Sequence, residues 1–366
     1  MKSLILALAT LHAVAALPQV SKCQNSAAQM NAAPLPPGVF IQQKLSATPT
    51  TPGAKMSKIR YGPFSMKPMQ MIENEPYFTN QMPCQNCFIT AMEANLEDDA
   101  GKTININEGA WLHHMVLYLR GLDRRDLICG RLTAAGIGGQ RIFASGNERN
   151  PVRLNTKGDY GLKVDNDDKI TLLYDLVNNL ETPQNFWVTM MYEYVPMSSP
   201  EAASYTEAQL AWLDITDCGD SEAPPQRGVY SVTSSPDLWV PKQDYKLLTA
   251  FGHVHDGGQM VQAMAGNKSV CDSAQLYGRS EGFIEPMSGP GTMNPGMQHV
   301  SDVGSCVDFG VVKAGTPMSV VAKYDTNKNP LNKEMDGHDQ TIMGISFVYV
   351  APVDGATSGA EAVPAT

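Results

Sequence analysis

Hydrophobic and polar positions along this chain alternate in short runs and show no sustained helical period. Runs rich in aromatic and β-branched residues recur at 88–92, 111–119, 170–174 and 186–195, bounded by Asn, Asp, Gly or Pro, which is the pattern of strands separated by tight turns. Pro196 ends the clearest of them, and a polar stretch at 197–205 (Met-Ser-Ser-Pro-Glu-Ala-Ala-Ser-Tyr) reads as a linker. Strand-like runs resume at 211–213, 228–232 and 245–251 and close with 318–324 and 345–350. No long amphipathic helix is indicated. The pattern predicts an all-β chain of two tandem jelly-roll-like antiparallel β-sandwich domains, 59–196 and 206–352, each of ordinary domain size.

The flanks read differently. Residues 1–16 carry Lys2, an apolar run from Leu4 to Leu11 and small residues at Ala13 to Ala16, the layout of a secretory signal peptide. The run is too short to span a bilayer, and no later stretch reaches that length, so a secreted protein with no membrane span is expected. Residues 17–58, rich in Pro, Ala and Thr, read as an irregular arm, and the Gly/Ala-rich 353–366 as a flexible tail without the apolar end of a lipid-anchor signal.

With 43% hydrophobic and 17% charged residues in 366, a sizeable core is available. The net charge of -10 argues against nucleic acid or an anionic membrane surface as a partner. All seven cysteines follow the leader, and export implies that most are bridged. Cys271 is expected to pair with Cys306, and Cys129 with Cys84 or Cys87. The C-x-x-C at Cys84–Cys87 has no second copy, which favours a structural bridge over a zinc or redox site.

The chemistry concentrates in histidine. Four of the six histidines outside the leader fall into two doublets, His113-His114 and His253-Val254-His255. An H-x-H pair on extended backbone puts both imidazoles on one face, and Gly257-Gly258 lets the chain turn directly afterwards. Adjacent histidines point to opposite faces of a regular strand, so His113 and His114 can share an ion only at a bulge or strand end. Imidazoles suit zinc, copper, iron or nickel, and the third ligand discriminates. For the H-x-H pair it is Met343, whose thioether selects Cu(I), or His338, which leaves zinc in play.

A His-His-Met strand followed by an H-x-H and a late Met resembles the ascorbate-dependent type II copper monooxygenases of the peptide-amidating and dopamine-hydroxylating kind. Closer still is the stress-up-regulated nodulin (Nod 19) family and its fungal relatives. The resemblance runs from about residue 60 to 352. It rests on Pro83-Cys84-Gln85-Asn86-Cys87, Ala110-Trp111-Leu112-His113-His114, Ala144-Ser145-Gly146-Asn147-Glu148-Arg149, Tyr192-Glu193-Tyr194-Val195-Pro196, Gly252 to Gly258 and Ile342-Met343-Gly344-Ile345. It implies that His113 and His114 hold an electron-donating copper, and that His253, His255 and Met343 hold a second copper where oxygen reacts. The third histidine of the first site has no counterpart in 172–178, where Asp175 stands nearest. A carboxylate there would favour Cu(II).

Two readings follow. One is a secreted copper-binding protein, holding one or two ions without full hydroxylase activity, for sequestration, stress response or association with a cell-wall component. The other is a monooxygenase that uses copper and ascorbate, or a similar reductant, to hydroxylate a C–H bond of an unknown small-molecule substrate. G-x-S-x-G, P-loop and H-E-x-x-H motifs are absent, so the common hydrolase, nucleotide and zincin chemistries have no support.

Overall fold

The computed structural model describes residues 34–130, 133 and 136–353. The expected leader, Cys23 and residues 354–366 lie outside them. Twenty strands carry the fold, and no α-helix occurs among the described residues. In chain order the first are β1 (Val39–Ile41), β2 (Lys55–Met66), β3 (Gln70–Thr79), β4 (Cys87–Glu97), β5 (Ala110–Arg120) and β6 (Gln140–Gly146). They are followed by β7 (Val152–Arg153), β8 (Tyr160–Val164), β9 (Lys169–Asn178), β10 (Gln184–Pro196) and β11 (Thr206–Glu207). The rest are β12 (Gln209–Asp214), β13 (Val229–Thr233), β14 (Tyr245–His253), β15 (Gly258–Ala265), β16 (Lys268–Tyr277), β17 (Val300–Val307), β18 (Val311–Val312), β19 (Met318–Asp325) and β20 (Ile345–Pro352).

The all-β sandwich expected from the pattern is present. One sheet runs β11-β8-β4-β10-β2 with β7 on β4, and a second runs β3-β9-β5-β6. They pack face to face, with the Phe64 ring of β2 lying 5.3 Å from Tyr77 of β3 and 4.0 Å from Tyr174 of β9, centroid to centroid. The third sheet runs β12-β20-β14-β17-β16-β15-β19-β13, with β1 on β17 and β18 on β14. It curls so that β15 and β19 come against β14 and β20. All ladders are antiparallel except the short β8–β11 pair.

One apolar core runs through all three sheets. Where β6 meets the third sheet, Tyr349 donates to the Ile142 carbonyl at 3.0 Å and the Arg141 guanidinium lies 4.3 Å over the Trp212 ring. That contact sets the β5–β6 edge beside β14 and β20, and the histidines are found there. Residues 34–54 have little regular structure, yet they are fastened. β1 pairs with β17, Gln42 donates to Thr249 at 3.1 Å, the Glu93 carboxylate accepts the Leu45 amide at 2.6 Å, and the buried Glu193 carboxylate accepts the Thr50 amide at 2.7 Å.

Cys271 pairs with Cys306, joining β16 to β17 as expected. The expectation for Cys129 is corrected. Cys84 and Cys87 bridge each other at a sequence separation of 3, which leaves Cys129 to pair with Cys218, 89 residues away. That bridge ties the segment before β6 to the loop after β12, a juxtaposition set by packing between sheets and invisible to local spacing.

Non-reducing peptide mapping is therefore expected to recover a Cys129–Cys218 peptide and a Cys271–Cys306 peptide. Replacing Cys271 and Cys306 by serine, which opens a loop with a sequence separation of 35, should destabilise the chain by about 3 to 4 kcal/mol in urea unfolding, following the chain-entropy relation.

Candidate metal centre

The site is built on two strand ends. In β5 the pairing with β9 shifts register between Leu112 and His114. This is the bulge that adjacent histidines require if both are to face one point. The rings of His113 and His114 lie 4.0 Å apart. His253 is the last residue of β14, and His255 follows in the turn, where Gly257 takes a φ of 95°, a conformation that glycine adopts without strain. The Gly258 amide donates to the His255 carbonyl at 3.1 Å, closing that turn.

The two doublets, expected in separate centres, meet. His113, His114 and His255 each offer a nitrogen within 4.8 Å of the others, and the Nε2 atoms of His114 and His255 are 2.9 Å apart. His253 flanks them, its ring 5.1 Å from that of His114 and 5.9 Å from that of His255.

What lies behind each ring decides what its front presents. His255 Nδ1 is 2.6 Å from the Thr341 carbonyl, which can only accept, so Nδ1 carries the proton and Nε2 a lone pair. His114 Nδ1 is 3.1 Å from an Asp175 carboxylate oxygen, so its Nε2 is likewise a lone pair. Two lone pairs thus face each other at 2.9 Å. A cation between them removes that repulsion, and a proton is disfavoured. Burial, reinforced by the neighbouring imidazoles, holds His113 and His114 well below the ordinary histidine range and His255 down to about 4. Two further nitrogens, His113 Nδ1 and His253 Nε2, are buried without a hydrogen-bond partner. His253 Nδ1 faces Glu148 at 3.1 Å, which again leaves Nε2 the lone pair. Such backing by carboxylate or carbonyl is what metal-binding histidines require, so the donor set fits a transition-metal ion.

The other expected site residues separate. Asp175, read as a candidate ligand, sits directly across the ladder from His114. Its carboxylate is engaged by His114 Nδ1 and, at 2.6 Å, by the Asn74 amide, so it backs a histidine and is not at the meeting point. Burial pushes its pKa up, opposed by His113 and the Asn74 N–H. Met343 is buried and shares the wall of a cavity with His114 and His253. Its backbone is held by the Tyr324 hydroxyl, which donates to the Met343 carbonyl at 2.6 Å and accepts its amide at 3.2 Å. His338 is exposed and paired with Asp336 at 2.9 Å on a surface turn, outside the cluster.

Sequence reasoning left Glu148, Gln340, Thr341 and His299 without roles. Glu148 and Gln340 lie inside or beside motif fragments already noted, so position next to a motif was the available signal. Gln340 Nε2 is 2.7 Å from His113 Nε2. His299 is buried between Asp256 at 2.6 Å and Glu285 at 3.4 Å, edge-on to Trp111 at 4.7 Å. Burial alone would lower its pKa, but the two carboxylates win and raise it to about 9. It therefore anchors, as a cation, the residue after His255 and a residue two before His113.

The adjoining cavity measures about 330 Å³. Met115, Leu173, Trp212, Ile345 and Phe347 give it apolar walls, and His114, His253 and Met343 line it together with the polar Thr133, Arg141, Ser145 and Glu222.

No family model matches the chain. It is related to the probable copper-dependent oxygenase M1 of Phoma sp., at 29% identity over 82% of this chain and 75% of the relative. It is also related to the probable copper-dependent oxygenase clz3 of Cochliobolus lunatus, at 29% identity over 73% of this chain and 82% of the relative. Among solved structures, PNGase F, a glycosylasparaginase from Flavobacterium meningosepticum, aligns over 81% of this chain and 96% of its own with 11% identity and a TM-score of 0.34. That score is too low to bear on the site.

Two outcomes test this geometry. A Cβ on Gly146 would lie 2.8 Å from His253 Cε1 and 2.9 Å from the His113 carbonyl, so Gly146→Ala should cost about 1 to 3 kcal/mol in urea unfolding, as overpacking does. Because the His299 pKa is raised to about 9 in the fold, its contribution is fully present below the unfolded value of about 6.5 and is lost as pH rises through 9. Unfolding free energy should fall across that window, and His299→Gln should flatten the slope at lower overall stability.

Proposed function

We propose that this chain is a copper-dependent oxygenase in which His113, His114 and His255 hold a copper ion beside a largely apolar substrate cavity. The observation that carries the reading is the pair of opposed Nε2 lone pairs at 2.9 Å, with both tautomers set from behind. Neutral imidazoles favour copper over hard ions, and the thioether of Met343 is a soft donor in the same cavity wall. The relationship to two probable copper-dependent oxygenases supports the choice of metal and of reaction class.

The alternative of a copper carrier without turnover rested on the missing third histidine beside His113 and His114. His255 brings a third imidazole to that pair from the other doublet, which supports the oxygenase reading over the carrier. The same convergence departs from the peptide-amidating pattern of two separate coppers, so the resemblance to that type extends to the residues and not to their partition.

Bound copper would supply redox chemistry toward dioxygen, with electrons from ascorbate or a similar external reductant. The chain's own residues do the rest. Thr341 and Asp175 keep His255 and His114 in the ligating tautomer, and Glu148 does the same for His253. The largely apolar lining favours a mainly hydrocarbon small molecule whose C–H bond lies near His114, His253 and Met343, while Arg141, Ser145 and Glu222 on the same lining offer polar contacts to a substituent. Three disulfides and the signal-like leader support a secreted enzyme.

Metal analysis of the folded protein should find about one copper per chain, lost in His114→Ala and His255→Ala, since two facing imidazoles supply most of the binding. Two coppers would assign His253 and Met343 a centre of their own, and none would defeat the reading. Asp175→Asn should weaken copper by roughly 10- to 100-fold, as loss of a histidine's backing carboxylate does. Met343→Ile should weaken Cu(I) selectively, sparing Cu(II). Incubation with ascorbate, oxygen and apolar aromatic or aliphatic candidates should yield hydroxylated product matched to ascorbate consumed.

A further inference from the structure

A second, much smaller cavity lies against His113. Its walls include Met71, Trp111, Met293, Met335 and Gln340, and its volume of about 30 Å³ admits a single ion or water and no organic molecule. Three of those walls are thioethers from distant parts of the sequence. Met71 comes from β3, Met293 from the loop between β16 and β17, and Met335 from the loop between β19 and β20.

Exposure falls along this set toward the histidines. Met293 is 37% exposed, Met71 and Met335 are half-buried, and His113 is 6% exposed. Packing accounts for methionines such as Met92 and Met190, which are fully buried in the core. Met71 and Met335 also pack against the Ile106, Trp111 and Val177 cluster, whereas Met293 lies on a loop at the solvent end of the pocket. At the inner end the Gln340 amide meets His113 Nε2 at 2.7 Å, while His113 Nδ1 is buried without a partner. The same side chain also bonds Glu334, which faces this cavity, so Gln340 links His113 to the pocket wall.

We propose that this methionine-lined pocket is the site through which Cu(I) reaches the histidine centre. Met293, Met71 and Met335 take the ion from solution, and His113 receives it. The inference rests on the copper reading above. Thioether sulfur is a soft ligand that selects Cu(I) over Cu(II) and zinc. The step is ligand exchange alone: sulfur–copper bonds break as imidazole–copper bonds form, and the ion remains Cu(I) throughout. Met343 plays no part in it, because it lines the other cavity.

The test uses full-length protein stripped of metal, with Cu(I) supplied from its bicinchoninate complex and uptake followed as the complex loses colour. Met71→Leu/Met293→Leu/Met335→Leu should slow Cu(I) uptake about tenfold or more, because the soft donors are gone. The final amount bound and the rate of Cu(II) uptake should match those of the natural protein. Met293→Leu alone, at an exposed position that folding tolerates, should give a smaller slowing in the same direction. Equal Cu(I) rates in the natural protein and both variants would overturn the route while leaving the copper centre intact. Equal slowing of Cu(I) and Cu(II) would also overturn it, because it would mark a packing defect. If the natural protein binds no Cu(I) at equilibrium, the copper reading itself fails and the route with it.

Discussion

Two imidazole nitrogens facing each other at 2.9 Å, each deprived of its proton by what stands behind it, form the constraint on which the rest of this structure turns. His114 belongs to the four-stranded sheet and His255 to the end of the ten-stranded one. The repulsion therefore acts across the contact between sheets, where the core on either side must hold it in place. A cation that binds both nitrogens converts that opposition into attraction. Because the unfolded chain has no such arrangement, binding there stabilises the folded state directly. Site formation and the docking of the β5–β6 edge on β14 and β20 are thus one event.

The residues behind the histidines divide the work by kind. Carboxylates of Asp175 and Glu148 back His114 and His253, and a backbone carbonyl backs His255. One short run, 340–343, reaches three parts of the centre. Gln340 meets His113, the Thr341 carbonyl meets His255, and Met343 lines the cavity. The run is held in turn by the buried Tyr324 hydroxyl, which bonds both backbone groups of Met343. Beneath this, the His299 cation lies between Asp256 and Glu285. Breaking such a buried set by removing one member is costly, because the remaining charges stay buried. Asp256 ties the turn after His255 into that set.

The strands were legible because period-two patterning and turn residues are local, and so was the bulge that two adjacent histidines demand. The H-x-H pair at a strand end and the glycine turn after it were readable for the same reason. The joining of the doublets was not. His114 and His255 are separated by 141 positions, and nothing in either motif reports that their sheets dock there. Asp175 shows a finer limit. Its nearness to the histidines follows from strand pairing with β5, but whether a carboxylate ligates a metal or backs an imidazole depends on which ring nitrogen it meets, and residue patterns do not encode that. Cys129 failed for a similar reason, since its partner across the sheet contact competes with a near neighbour only in three dimensions.

The bulge in β5 has a consequence beyond bringing two rings together. On a regular strand, consecutive side chains lie on opposite faces of the sheet and cannot share one centre. Here the local kink lets both rings join the cluster while each still borders a different cavity. His114 borders the large apolar one beside Met343, and His113 borders the small thioether-lined one beside Gln340. A single inserted residue thereby separates the face that can accept an organic molecule from the face that can accept an ion. On the function and route proposed above, access for the metal and access for the substrate would not compete, because each of two neighbouring histidines borders a different cavity.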